Sequence, residues 1–333
     1  MPSPSLAIVV PVHNGGEQFR LCLEALGEAR NAFDELIVVA DGDSDGSCDR
    51  AEEAGVTVLR LAEPGGPARA RNRGVELASS ELILFVDADV LISGTTIERI
   101  VQYFRDEPAL AALIGSYDDE PGEDNFLSQY RNLLHHFTHQ ESNADAFTFW
   151  GACGAVRRDV FRSLGGFDES YRTPSIEDIE LGHRLKKAGH RIRLAKEVQV
   201  KHLKHWDVQT MLRADFFYRA LPWTDLILRQ QGLTNDLNLK VSNRLSVALS
   251  FALVFLMVVF GIDLFMGFDA GPTLSVLMAA LLLFFLVLNW RLYRFFSRKR
   301  GLYFALAAIP WHFLFYLCSG LAFTLGFARA RFR

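Results

Sequence analysis

The chain has 333 residues, room for about two domains, and half of them are hydrophobic, a high share for a soluble enzyme. With 35 Lys and Arg against 39 Asp and Glu the net charge is −4, which excludes nucleic-acid binding driven by overall charge. Cys22, Cys48, Cys153 and Cys318 lack Cys-x-x-Cys spacing, so neither a zinc site nor a disulfide framework is indicated and a reducing compartment fits.

The first ten residues have no basic segment and run directly into Leu6-Ala-Ile-Val-Val10, an apolar strand ended by Pro11. The expectation is that no signal peptide is cleaved and that the N-terminal region stays in the cytoplasm. Val12-His-Asn-Gly-Gly16 reads as a turn, and Glu17 to Ala29 as a helix with Phe19, Leu23 and Leu26 on one face. A second strand, Glu35 to Ala40, enters Asp41-Gly-Asp-Ser-Asp-Gly-Ser47, a tight acidic loop at the edge of the sheet where ligands bind. A calcium loop of the EF-hand kind would need a later Glu that is missing. After a helix, strand Val56 to Leu61 leads to Glu63-Pro-Gly-Gly-Pro-Ala-Arg-Ala-Arg-Asn-Arg-Gly74. That stretch opens a helix whose free N–H groups and Arg69, Arg71 and Arg73 suit an anion such as a pyrophosphate. Leu82 to Val86 is a buried strand that delivers Asp87-Ala-Asp89, two carboxylates able to share Mg²⁺ or Mn²⁺. The β-α-β-α-β-α-β order predicts an α/β fold, a mostly parallel Rossmann-like sheet with helices on both faces.

Thr95 to Phe104 is predicted helical, Gly115 to Asn125 acidic and turn-rich. His135 and His139 fall four apart on the next helix, a spacing that could ligate a metal or line a cleft, but without a His-Glu-x-x-His arrangement. Phe147 to Val156 is apolar and interrupted by Gly151 and Gly154, where a backbone could approach an acceptor, with Trp150 offering a face to a sugar ring. Ser175 with Asp178 resembles a capping box at the start of a helix carrying Glu177 and Asp178. Gly189 to Leu194 and Glu197 to His202 read as two edge strands.

Pro11-Val-His-Asn14, Asp41-Gly-Asp-Ser-Asp-Gly46, Ala70-Arg-Asn72, Asp87-Ala-Asp89, Gly165-Gly-Phe-Asp168 and Glu177-Asp178 occur in an order that resembles family 2 glycosyltransferases of the GT-A fold. One departure is visible: the family often doubles the Asp before the loop glycine, and here the first position is Ala40. The resemblance implies an inverting enzyme that uses a nucleotide-diphosphate sugar and a divalent cation, Mn²⁺ or Mg²⁺. It places Pro11, His13, Asn14, Asp41, Arg71, Asp87 and Ala88 at the donor, with Asp41 on the base and Arg71 near the diphosphate. It puts Asp89, Asp87 and His202 on the metal, with His205 as an alternative to His202. Asp178 becomes the general base and Glu177 its neighbour.

Met211 to Arg229 mixes aromatic and basic residues, as a segment lying at a bilayer surface does. Leu245 to Phe268, Leu274 to Trp290 and Tyr303 to Phe327 are each long and apolar enough to span. The expected organisation is a catalytic domain over residues 1–205 (donor half 1–92, acceptor half 93–205), an interfacial segment over 206–243 and a membrane region over 244–333. The loop after the first span holds an acid and no Lys or Arg, and the next holds Arg291, Arg294, Arg298, Lys299 and Arg300. This charge bias predicts a multi-pass protein of the inner membrane with its catalytic domain in the cytoplasm. The arginines of the C-terminal tail conflict with three complete spans, so the third run, which contains Pro310, either spans or re-enters. The anchor points to a lipid or lipid-linked acceptor, with a processive polysaccharide synthase and a non-catalytic scaffold as the competing readings.

Overall fold

A computed structural model of the chain describes residues 3–230 and 240–331. It divides into two compact units, Met1–Asp207 and Val208–Arg333.

The first unit begins β1 (Leu6–Val12), α1 (Gly16–Glu28), β2 (Glu35–Asp41), α2 (Ser47–Glu53), β3 (Thr57–Leu61), α3 (Pro67–Leu77), β4 (Leu82–Val86). It continues β5 (Val90–Leu91), α4 (Gly94–Asp106), β6 (Ala112–Tyr117), α5 (Phe126–Gln140), β7 (Cys153–Arg157), α6 (Arg158–Ser163), α7 (Glu177–Lys187) and β8 (Ile192–His202). The strands lie in the order β3-β2-β1-β4-β7-β6-β8-β5. The β3-β2-β1-β4 half is parallel, while β7 runs antiparallel to both β4 and β6, and β5 runs antiparallel to β8. Parallel strands buried on both faces read as continuous apolar runs, which is why β1, β2 and β4 stand out in the sequence.

Alternation along β1 divides the core in two. Leu6, Ile8, Val10 and Val12 join Phe19, Cys22 and Leu26 of α1 and Ile97, Ile100 and Phe104 of α4 on one face. Ala7 and Val9 join Ala70 and Val75 of α3, Phe161 of α6 and Leu181 and Leu185 of α7 on the other. Two close approaches require glycine: a Cβ on Gly74 would overlap Val9 of β1, and one on Gly182 would overlap the Thr148–Phe149 backbone.

Four readings of the acceptor half change. Ala112–Tyr117, partly assigned to a turn-rich stretch, is a fully buried strand, because Gly115 fits against the Val198 carbonyl. The two predicted edge strands are one strand, β8, lying between β6 and β5 with a register shift at Ile114/Ser116. Within Phe147 to Val156 only the last part is extended, as β7 starts at Cys153. The helix is capped at Ile176, one residue after Ser175, and the Asp178 carboxylate accepts the Gly151 N–H.

The second unit holds α8 (Val208–Arg213), a π-helical turn over Ala214–Ala220, α9 (Leu221–Gln230), α10 (Val241–Met266), α11 (Gly271–Leu288), α12 (Trp290–Arg300) and α13 (Leu302–Arg331). The predicted interfacial segment over 206–243 falls partly outside the described residues. Three helices are long and apolar enough to cross a membrane, Val241–Met266, Gly271–Leu288 and Leu302–Arg329. Pro310 lies inside α13, which runs on through it. A polar cluster joins the three: Asn289 donates to Ser246 Oγ at 3.0 Å, Tyr316 donates to Asn289 Oδ1 at 3.1 Å, and Tyr293 lies 3.1 Å from His312 Nδ1. Hydrogen bonds of this kind hold helices together where no hydrophobic difference drives association.

Candidate active site

Parallel strands bring their carboxyl ends to one edge of the sheet, and β1, β2 and β4 deliver His13, Asp41 and Asp87 there. Asn14 adopts a left-handed backbone (φ +51°), which Asn tolerates, and its Oδ1 accepts the Ser44 N–H at 2.8 Å. His13 Nδ1 lies 2.7 Å from the Asp41 carbonyl. Asp41 is buried, and its carboxylate accepts N–H bonds from Gly65 (2.9 Å) and Gly66 (2.7 Å). The acidic loop is thereby tied to the turn that starts α3. Pro11 and Ala88 are half-buried beside these residues in sequence.

Arg71 is the hub between the two halves of the unit. Its guanidinium is 4 % exposed and donates to Asp87 Oδ1 at 2.7 Å and to Glu177 Oε1 at 2.9 Å. Burial opposes its charge, but Asp87 and Glu177 more than compensate and raise its pKa above the usual arginine value. The two ion pairs pin α3, β4 and α7 at one point. Gly151 makes room for this contact, since a Cβ there would lie 2.9 Å from Arg71 Cζ.

Asp178, next to Glu177, accepts the Gly151 N–H at 3.0 Å. Burial, and then the neighbouring Glu177 charge, push its carboxyl up to about 7, which suits a group that exchanges protons near neutrality. At the opposite end of the Asp-x-Asp turn, β5 pairs with β8 through Val90 and His202. This pairing sets His202 Nε2 3.6 Å from Asp89 Oδ2. Burial opposes ionisation of Asp89, yet His202 and Lys204 win and hold its carboxyl at about 2.

A carboxylate oxygen and an imidazole nitrogen at that separation fit a divalent cation between them. Among the described residues no group of three or more His, Cys, Asp or Glu side chains is arranged to hold a metal. Asp87 is engaged by Arg71, so Asp89 and His202 are the side chains there that could hold such an ion. His205 is not part of this pair; it meets Glu123 Oε2 at 2.8 Å and is exposed.

Beneath His202 lies a ring cluster. Tyr117, at the end of β6, stacks on His202 (centroids 4.2 Å apart, 13° between planes) and meets Trp150 edge-on at 4.7 Å. His135 and His139 pack against Trp150, both at 5.2 Å. Burial drives His135 well below the usual histidine range and His139 to about 4, so both are neutral packing groups. His139 Nδ1 is 3.0 Å from the Gly115 carbonyl. The pair packs beneath the site, and among the described residues it belongs to no group of three or more His, Cys, Asp or Glu that could hold a metal. Trp150 is half-buried at the rim, whereas Gly154 is buried in β7 under Phe149, where a Cβ would have no space. Tyr117 was not singled out in the sequence, because Gly115 and the acids after it disguise its strand.

Residues 7–165 match the profile of Glycosyl transferase family 2. The N-terminal unit belongs to that family. Residues 131–206 also match a profile described as the N-terminal domain of galactosyltransferase. Relatives include glycosyltransferase GlyG of Streptococcus pneumoniae, 30 % identical over 129 residues, 37 % of this chain and 43 % of the relative. The pre-mycofactocin glycosyltransferase of Mycobacterium tuberculosis is 28 % identical over 223 residues, 62 % of this chain and 44 % of the relative. The matches thus span less than half the length of either. The mannosyltransferase PcManGT of Pyrobaculum calidifontis, solved with GDP-Man and Mn2+, superposes with a TM-score of 0.60 at 18 % identity. That superposition covers 92 % of this chain and 87 % of the other, which shows a shared GT-A fold.

Proposed function

We propose that this chain transfers a sugar from a nucleotide-diphosphate sugar to a lipid or lipid-linked acceptor at the cytoplasmic face of the inner membrane, inverting the anomeric centre. The observation that carries this reading is the juxtaposition of Asp87, Asp89 and His202 with Asp178 through Arg71 and Glu177. His13, Asn14 and Asp41 line the donor edge in this reading, with Trp150 at the acceptor rim.

Asp89 and His202, with Asp87 beside them, would hold Mn²⁺ or Mg²⁺; the ion would neutralise charge growing on the departing diphosphate. Arg71 keeps Asp87 and Glu177 in place with one outer nitrogen on each and, in this reading, stands near the diphosphate. Asp178 accepts the proton of an acceptor hydroxyl as its oxygen attacks the anomeric carbon from the face opposite the diphosphate. With the donor-side groups on one flank and the base on the other, displacement takes one step. An acceptor phosphate arrives ionised and makes no such demand on Asp178.

The lipid acceptor is supported by the three apolar helices that follow the family 2 unit. The cytoplasmic orientation is supported by charge: α12 holds Arg291, Arg294, Arg298, Lys299 and Arg300, while the loop between α10 and α11 holds Asp269 and no cation. The test is transfer from labelled nucleotide sugars into a membrane lipid extract, with product size recorded. Label in a single-step lipid product supports the proposal; long polymer identifies a processive synthase instead, and no label in lipid removes the lipid acceptor.

A further inference from the structure

We propose that Tyr117 is a positioning residue that fixes the ring of His202 for divalent-cation binding beside Asp89; this rests on the metal role given to that pair above. Strands β6 and β8 pair in parallel with Tyr117 opposite Val200. Residues two apart on a strand share a face, so Val200 and His202 point the same way and His202 falls within reach of the Tyr117 ring. The two rings lie nearly flat on one another.

Rotation of an imidazole about its Cβ–Cγ bond is broad and weakly restricted by itself, so something outside the residue must choose the direction in which Nε2 points. Strand pairing fixes the His202 backbone, and the stack fixes the ring plane; together they aim Nε2 at Asp89 Oδ2. Tyr117 cannot swing away to release it. Trp150 stands edge-on against it at 4.7 Å and His135 packs against it at 4.8 Å, and the residue is 8 % exposed. Its hydroxyl makes no hydrogen bond among the described residues, so the ring is the part of Tyr117 that acts on His202.

The experiment measures Mn²⁺ binding to the purified full chain by electron paramagnetic resonance, which reads the ion itself and not turnover. Four proteins are compared: wild type, Tyr117→Phe, Tyr117→Leu and His202→Ala, each checked by far-UV circular dichroism. The partner behind a metal ligand typically contributes 10–100-fold in affinity, so Tyr117→Leu is expected to weaken Mn²⁺ binding by about that factor. Tyr117→Phe, which keeps the ring, is expected to bind as wild type does. If Tyr117→Leu does not fold, Tyr117→Met, which fills the space with a flexible chain and no ring, takes its place. Wild-type affinity in the ring-less variant, with affinity lost in His202→Ala, overturns this inference and leaves the metal reading standing. Equal loss in Tyr117→Phe and Tyr117→Leu overturns it too, because the hydroxyl would then be responsible. Wild-type affinity in His202→Ala overturns the metal reading and this inference with it.

Discussion

Asp178 and Arg71 show how neighbours set the chemistry of single residues. A base must be ionised to work, and burial with Glu177 alongside places the Asp178 transition at about 7. Transfer to a hydroxyl acceptor should therefore rise with pH through neutrality and level off above it. Asp178→Asn should lower kcat by about 10²–10⁴-fold with such an acceptor and abolish that pH step. The stability consequence has the opposite sense: a carboxyl raised in the fold favours the protonated form, so its contribution is lost as pH climbs from the ordinary Asp range through about 7. Asp178→Asn should accordingly melt higher than wild type at pH 8, with the gap narrowing at pH 5. Arg71→Leu should do the reverse, leaving Glu177 buried without its partner at a cost of about 3–5 kcal/mol, read as a shift in the urea midpoint. The acids were legible because each stands at a strand end or helix start within an ordered set of motifs. The engagement of Arg71 was not, since nothing near it in sequence reveals Glu177, 106 residues on.

At the scale of elements, the donor half was the easier to read. Its strands β1, β2 and β4 are apolar runs buried on both faces; β2 ends at Asp41, β4 leads into Asp87, and β1 runs one residue past Pro11. The acceptor half hid β6 behind Gly115 and split β8 in two, because a register shift breaks the alternation that marks a strand. Helix α7 depends on a feature that no periodicity reports: Gly182 lies on the Thr148–Phe149 backbone, and that closeness sets where Glu177 and Asp178 emerge. Gly182→Ala should displace the helix, costing about 1–3 kcal/mol from overpacking, and activity should fall with it. Thermal unfolding and transfer assays on the same preparation check this; full activity with an unchanged melting point would show that α7 is free to shift.

At the scale of the whole molecule, a family 2 unit is followed by helices whose apolar surfaces are long enough for a bilayer. Exposed Phe255, Leu264, Phe265, Val276 and Leu283 on α10 and α11 need an apolar environment. The chain should stay with membranes after alkaline carbonate extraction, and release into the supernatant would contradict three embedded helices. Composition alone made these helices legible, whereas the direction of the last one was not, because its flanking charges disagree. The central claim is that Asp89 and Asp178 carry sugar transfer from opposite flanks of one site. Its most direct test is the rate of transfer from a panel of nucleotide sugars into membrane lipid extract, with and without Mn²⁺, for wild type, Asp89→Ala and Asp178→Asn. The account predicts Mn²⁺-dependent transfer by wild type that is lost in Asp89→Ala and in Asp178→Asn with hydroxyl acceptors; wild-type rates in both variants would contradict it.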